Sequence, residues 1–580
     1  MAMPRTFPLH AALARPKQSA LDVLIGAAVI VVLYSLIRVG RGATLTIVPG
    51  STQISTRAID LPYYAARSLL RMFIALAAAT VFSLGYGYAA ARSRRLEKVL
   101  LPLLDILQSV PVLGFLVVIV SFFLSLFPNS YLGVELASIF AIFTAQAWNM
   151  TFSFYHSLIT LPREFDELSR NLRLTRWMRF WKIEVPAGAI GLVWNGMMSM
   201  AGAWFFLSAS EAISSNGRSY PLPGVGSYAA AAIARGDLRA VGLAIATMAV
   251  MVIGVNFLFW RPMTAAAERF KMELSESSDR QRSVLLEMLQ HSRWPQLVGA
   301  ARHRVAGSVG RAMAVLGRDD EPLAVAGPRG RAGDVAFVVI VAAFSAFGLW
   351  KLVSYTVSHS GLGVYATALG LGFLTFLRVA FLVAISTLVW VPVGVRIGQS
   401  PRLARIAQPV VQILASFPAN FLFPFATLLF IHTGISLNIG AVLLMALGSQ
   451  WYILFNVIAG AMAIPTDLRE AMDNLRITGW QRWRSLIIPG IFPFYVTEAI
   501  TASGGAWNAS IVAEIVSFRN RTLVAKGVGA YIAQAFSATD PGHVARVLAG
   551  VTVMSLYVVG VNRLVWRPLY GLAERRYKLE

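Results

Sequence analysis

The sequence predicts an all-α polytopic membrane protein made of two tandem six-helix halves. That makes about twelve transmembrane helices in a parallel pseudo-two-fold repeat. Three observations carry this reading. The 580 residues are 57% hydrophobic and only 14% charged, whereas a soluble chain carries about a quarter charged residues. Apolar runs of about twenty residues recur, each long enough to cross a hydrocarbon core of about 30 Å as a helix. A polar, basic stretch of twenty residues occurs twice, at 167–186 and 470–489, with eight positions identical and no gap. Unrelated segments of that length share roughly one. The apolar runs are continuous rather than alternating, which argues against strands and a barrel.

Composition excludes several function classes. The net charge of +23 does not point to nucleic acid, because the Arg and Lys residues cluster in short loops between apolar runs, as in cytoplasmic loops. There is no cysteine, so disulfides and thiolate metal sites are absent. The seven histidines are scattered, and no metal site or catalytic cluster emerges. With no such cluster, the sequence does not read as an enzyme.

Taken in order, residues 1–20 read as a cytoplasmic tail leading into an uncleaved first span at 21–39. Further spans are expected at 64–92, 100–126, 131–158, 187–209 and 238–260, closing a first transmembrane half at 21–262. Residues 263–333 mix charges and glycine and read as a cytoplasmic linker. A second half, 334–568, repeats the pattern at 335–357, 366–397, 404–431, 435–459, 490–512 and 543–566. Residues 569–580 form a second cytoplasmic tail. Repeated landmarks align the halves: Arg71 with Arg378, Pro102 and Pro111 with Pro409 and Pro418, Trp204 and Glu211 with Trp507 and Glu514. Pro111 and Pro418 are expected to kink or break the third span of each half. Basic loops on one side make both termini cytoplasmic by the positive-inside rule, in the bacterial inner membrane.

The duplicated stretch reads as two short helices on the cytoplasmic face, which suits docking to a partner. Pro162 and Pro465 suit a first helical turn. Phe165, Leu168 and Leu172 share one face, as do Leu468, Met472 and Leu475. Thr175 and Thr478 are placed to cap the second helix. The spacing from Glu167 to Pro186 and from Glu470 to Pro489 resembles the EAA loop of ATP-binding-cassette importer permeases. The Ala-Trp pairs, each separated by six residues from Glu211 or Glu514, are similar to the nitrate/sulfonate/taurine branch. The resemblance implies a fused double permease whose loops engage a separate cytoplasmic ATPase dimer. The docking residues it implies are Glu167, Asn171, Arg173, Thr175, Trp177 and Pro186, with Glu470, Asn474, Arg476, Thr478, Trp480 and Pro489. The family's glycine, six residues after the Glu, is Arg173 and Arg476 here.

The chain has no Gly-Lys dipeptide and so no phosphate-binding loop. ATP and magnesium are therefore expected on the partner, with no cofactor on this chain. A periplasmic or lipid-anchored solute-binding protein is a further implied partner, alongside membrane lipid. The solute implied is a small one, such as nitrate, a sulfonate, taurine or bicarbonate.

Other residues carry two readings each. Arg71 and Arg378 either attract an anion in the pathway or snorkel to headgroups. Trp204, Glu211, Trp507, Asn508 and Glu514 either line the pathway or act as interfacial Trp and capping acids; Phe205 stands where the second half has Asn508. Asp105, Glu135 and Glu498 lie near apolar runs without forming a paired constellation. The competing function is an ion- or proton-coupled secondary transporter with six-plus-six repeats, which leaves the duplicated loop without a role.

Overall fold

The computed structural model describes residues 54–267 and 331–576, apart from residues 129, 163, 213, 216–217 and 519–520. The expected first span, the N-terminal tail and most of the central linker lie outside them. The described residues fall into two compact units: a larger one of residues 54–152, 195–253 and 331–576, and a smaller one of residues 153–194 and 254–267.

In the first half the helices are α1 (Leu61–Arg92), α2 (Arg94–Ser109), α3 (Leu116–Leu126), α4 (Tyr131–Ile159), α5 (Glu164–Asn171), α6 (Arg176–Glu211), α7 (Val225–Arg235) and α8 (Leu238–Ala267). The second half repeats them after α9 (Arg331–Ser360): α10 (Gly363–Gly398), α11 (Pro401–Ser416), α12 (Phe423–Thr433), α13 (Leu437–Ala463), α14 (Thr466–Asn474), α15 (Gly479–Ala513), α16 (Val528–Ser537) and α17 (His543–Ala573). Among the described residues eight helices are long and apolar enough to cross a membrane, or nine if one bent pair is a single span.

That bent pair is the span expected at 404–431, broken at Pro418 as its proline predicts. Residues Pro401–Ser416 and Ala419–Thr433 meet at 81°. Pro418 has no N–H to donate and forces Phe417 into an extended conformation, with ψ at 127°, which ends the helix. Pro111 does the same to Val110, with ψ at 124°. In both halves a single 3₁₀ turn follows, Val112–Phe115 and Ala419–Leu422, before the chain resumes as α-helix.

Strands are present after all, as two antiparallel hairpins in the Gly- and Pro-rich connections. Strand β1 (Ser214–Ser215) pairs with β2 (Arg218–Ser219), and β3 (Ile515–Phe518) with β4 (Arg521–Val524). They are two to four residues long, too short for an alternation to stand out in sequence.

The core of the larger unit draws on both halves. Val112, Leu113 and Leu116 from the first pack with Val379, Phe423, Ala506 and Val551 from the second. At Gly114 a Cβ would stand 2.8 Å from Val551 Cγ2, so the 3₁₀ turn of the first half needs glycine to seat against α17. In the mirror position the second half's 3₁₀ turn seats against α6, where Asn420 Nδ2 donates to Ser208 Oγ at 2.9 Å. Each half thus grips the other through the break in its third span. In the smaller unit the end of α4 meets the start of α6, with the Phe154 and Phe180 rings edge-on at 6.4 Å.

Candidate functional site

Both duplicated loops fold as a short helix, a turn and the start of a long helix. In the first, α5 ends at a turn where Leu174 N–H donates to Ser169 O at 2.9 Å; in the second, Ile477 N–H donates to Met472 O at 2.9 Å. This closure needs one left-handed residue, and Arg173 (φ 46°) and Arg476 (φ 51°) supply it. Among the described residues they alone, glycines aside, have positive φ. The turn is kept although the glycine is not, and the left-handed backbone costs about 1–2 kcal/mol per site.

Thr175 caps as expected, accepting from Met178 N–H at 3.2 Å. Thr478 does not: its side chain makes no capping bond. Gly479 follows it at φ 58°, which turns the chain away from the geometry a cap requires. Each loop is braced by an arginine. Buried Arg179 bonds Asp166 and, through Nε, Glu184 Oε1 at 2.8 Å; Arg482 pairs with Asp473 at 2.5 Å.

Above these braces both loops present surface. Glu167, Asn171, Arg173, Glu470, Asn474, Arg476 and Thr478 are exposed, while Thr175, Trp177, Pro186 and Pro489 are half-buried. Large apolar side chains stand out beside them: Leu172 is 60% exposed, Leu475 69% and Trp480 71%. Just beyond the braces, α6 and α15 each open into one wide π turn, Phe180–Glu184 and Trp483–Ile487. Such turns occur mostly as single insertions, frequently at functional sites.

A second pair of matching sites joins three helices in each half. In the first, Arg71 Nη1 donates to Glu211 Oε1 at 2.8 Å and to Pro223 O at 2.9 Å. Glu211 also accepts from Ser68 Oγ at 2.6 Å and from Gly226 N–H at 2.8 Å, which ties α1 and α6 to the start of α7. In the second, Arg378 Nη1 donates to Glu514 Oε1 at 2.7 Å, and Glu514 accepts from Thr375 Oγ1 at 2.8 Å and from Ala530 N–H at 3.2 Å. Gly224 and Gly527 lie so close to these carboxylates that a Cβ would fall on them.

This geometry revises the reading of four residues. Arg71 and Arg378 do not snorkel, being 1% and 9% exposed, and protein carboxylates already meet their charge. Glu211 and Glu514 are fully buried and pair with arginine. Trp204 and Trp507 are also buried, and Trp507 stacks on Tyr557 at 6.0 Å. Asn508 is half-buried.

Sequence reasoning missed Glu135, which does belong to a paired constellation. Its Oε2 accepts from Arg71 Nε at 2.6 Å and its Oε1 from Arg67 Nη2 at 2.6 Å. The signal was weak because its counterpart is Asn438, which bonds Arg378 through its side-chain and backbone oxygens at 3.1 and 3.0 Å. No group of three or more His, Cys, Asp or Glu among the described residues is placed to hold a metal.

A helical membrane domain repeated twice, with a braced basic loop opening into α6 and again into α15, defines a two-fold transport permease. The family described as the binding-protein-dependent transport system inner membrane component matches residues 81–271 and 390–567. Those segments make up more than half of the chain, which therefore belongs to this family and carries its domain twice, as a fused double permease.

Curated relatives are similar at modest identity. The nitrate import permease protein NrtB of Synechococcus elongatus is 25% identical over 34% of this chain and 69% of the relative. The bicarbonate transport system permease protein CmpB of Synechocystis is 29% identical over 24% and 48%. The taurine transport system permease protein TauC of Escherichia coli is 25% identical over 31% and 60%. The chain thus spans about two thirds of the nitrate permease and about half of the bicarbonate permease. Family membership makes the chain a non-enzymatic permease subunit and a multi-pass inner-membrane protein.

Proposed function

We propose that this chain forms the complete translocation unit of an ATP-driven importer, with both permease halves in one polypeptide. The two loops dock a separate cytoplasmic ATPase dimer, one subunit on each. ATP and magnesium bind the partner; closure of the partner dimer draws the loops together and rocks the two halves. Both termini and the 263–333 linker lie in the cytoplasm, and a periplasmic or lipid-anchored binding protein delivers the solute. The solute is small, of the class the relatives' names cover: nitrate, bicarbonate, taurine or a related sulfonate. Trp204, Trp507 and Asn508 mark the helices that line its path, while Arg71–Glu211 and Arg378–Glu514 hold those helices to their neighbours.

The observation that carries this reading is the matched pair of exposed loops. Each holds an acid and bare leucines on a rigidly braced turn. Apolar side chains kept in water beside a polar rim mark an interaction surface.

Co-purification tests it. The tagged full-length chain is expected to retain an ATPase subunit bearing a Gly-x-x-x-x-Gly-Lys-Ser/Thr loop, and the double variant Glu167→Arg, Glu470→Arg to lose it while still eluting as a monodisperse species. Undiminished retention by the double variant contradicts the proposal.

A further inference from the structure

Five acids are buried among the described residues: Glu135, Glu184, Glu211, Glu498 and Glu514. Four of them are paired with arginine. Glu498, on α15, is the exception. It is 9% exposed, and its Oε2 has no hydrogen-bond partner. The side chains beside its carboxylate are Asn456 and Thr501, both neutral. An ionisable group inside a membrane helix is costly and is by default a functional-site candidate.

The surroundings of Glu498 are built for a donor. Tyr452 lies within electrostatic reach of it, and the Tyr452 hydroxyl comes within 3.3 Å of where a Cβ on Gly202 of α6 would stand. The carboxylate therefore sits where α13 and α15 of the second half approach α6 of the first. On α15, Glu498, Thr501, Gly505 and Asn508 follow at intervals of three, four and three residues, which places them on one helical face. Alongside that face there is room: a Cβ on Gly504 or Gly505 would meet nothing within 4 Å. Asn508 adds a second buried acceptor without a partner, its Oδ1. The equivalent face of α6 carries Asn195, Met198, Gly202 and Phe205, so the acid stands on one wall only.

We infer that Glu498 is a solute-recognition residue, and that the solute it selects carries a protonated amine. An ammonium offers three N–H donors and no acceptor. A carboxylate with a hydroxyl and amide around it, Glu498 with Tyr452, Thr501 and Asn456, supplies the complementary acceptors. The ammonium would offset the buried charge that no arginine offsets here. Within the solute class proposed above, this selects amine-bearing members such as aminosulfonates over bare inorganic anions. The inference rests on the permease reading.

Because the chain has no cysteine, single cysteines report on this face without background. Gly505→Cys, and Thr501→Cys as a second variant should the first not fold, are introduced into the full-length chain in membranes. They are treated with a cationic trimethylammonium-ethyl or an anionic sulfonatoethyl methanethiosulfonate. Because the attacking thiolate is itself an anion, the cationic-to-anionic rate ratio is referred to that of a simple thiol in solution. Glu498 lies about 10 Å along the helix from Gly505, so the ratio is expected to exceed the simple-thiol value by at least about tenfold. Glu498→Gln is expected to return it to the simple-thiol value. A ratio at or below the simple-thiol value, a raised ratio that Glu498→Gln leaves unchanged, or labelling by neither reagent at both positions overturns the inference. ATPase capture by the same preparations reads the permease proposal separately, so failure of one is not mistaken for failure of the other.

Discussion

The two arginine nodes do the same work with different residues. In the first half two arginines, Arg67 and Arg71, face two carboxylates, Glu135 and Glu211. In the second, Arg378 faces Glu514, and Asn438 takes the place of Glu135. The position of Arg67 is held there by Leu374, in register with the Ser68–Arg71 and Thr375–Arg378 match. One cation and one anion have been lost together, so both nodes remain neutral. What is held constant between the halves is charge balance and the carboxylate that ties α6 or α15 to the helix after it. The number of ions is free to vary.

This comparison predicts unequal responses. The largest effect is expected from Glu514→Ala, which leaves Arg378 buried with only neutral partners and costs about 3–5 kcal/mol, read as loss of thermal stability in detergent. Glu211→Ala should cost less, because Arg71 keeps Glu135. A reversed order would break the comparison.

Next comes Glu135→Asn, which copies the second half's residue but leaves Arg67 unbalanced and should cost about 3 kcal/mol. Adding Arg67→Leu completes the copy and should recover about 2 kcal/mol in a double-mutant cycle. Strict additivity would show that the two residues are not one unit. Gly224→Ala and Gly527→Ala force a methyl onto Glu211 or Glu514 and should each destabilise by about 1–3 kcal/mol, equally in the two halves.

The smallest effect has the opposite sign. Arg173→Gly and Arg476→Gly relieve a left-handed backbone and should each stabilise by about 1 kcal/mol. No gain at either site would mean that the arginine side chains repay the strain through contacts of their own.

What the chain repeats could be read from its residues, and what it does not repeat was hidden. The loops, the Pro111 and Pro418 breaks, and the Arg71–Glu211 and Arg378–Glu514 positions all stood out because each occurs twice at a steady offset. Their roles did not: an arginine in an apolar run looks the same whether it meets a headgroup, an anion or a carboxylate on another helix. Glu135 and Glu498 were passed over because Asn438 and Asn195 stand opposite them in the repeat. Thr478 matches Thr175, yet Gly479 beside it changes the backbone and removes the cap. The 81° bend and the wide turns in α6 and α15 depend on packing around the breaks, which no local pattern encodes.

In the proposed importer, one polypeptide offers two docking loops of the same kind. The stoichiometry of the purified complex tests this directly, by its native mass in detergent. One copy of this chain with two ATPase subunits is the predicted composition, falling to one subunit when Glu167→Arg or Glu470→Arg is introduced alone. Two copies of this chain per ATPase dimer would contradict it.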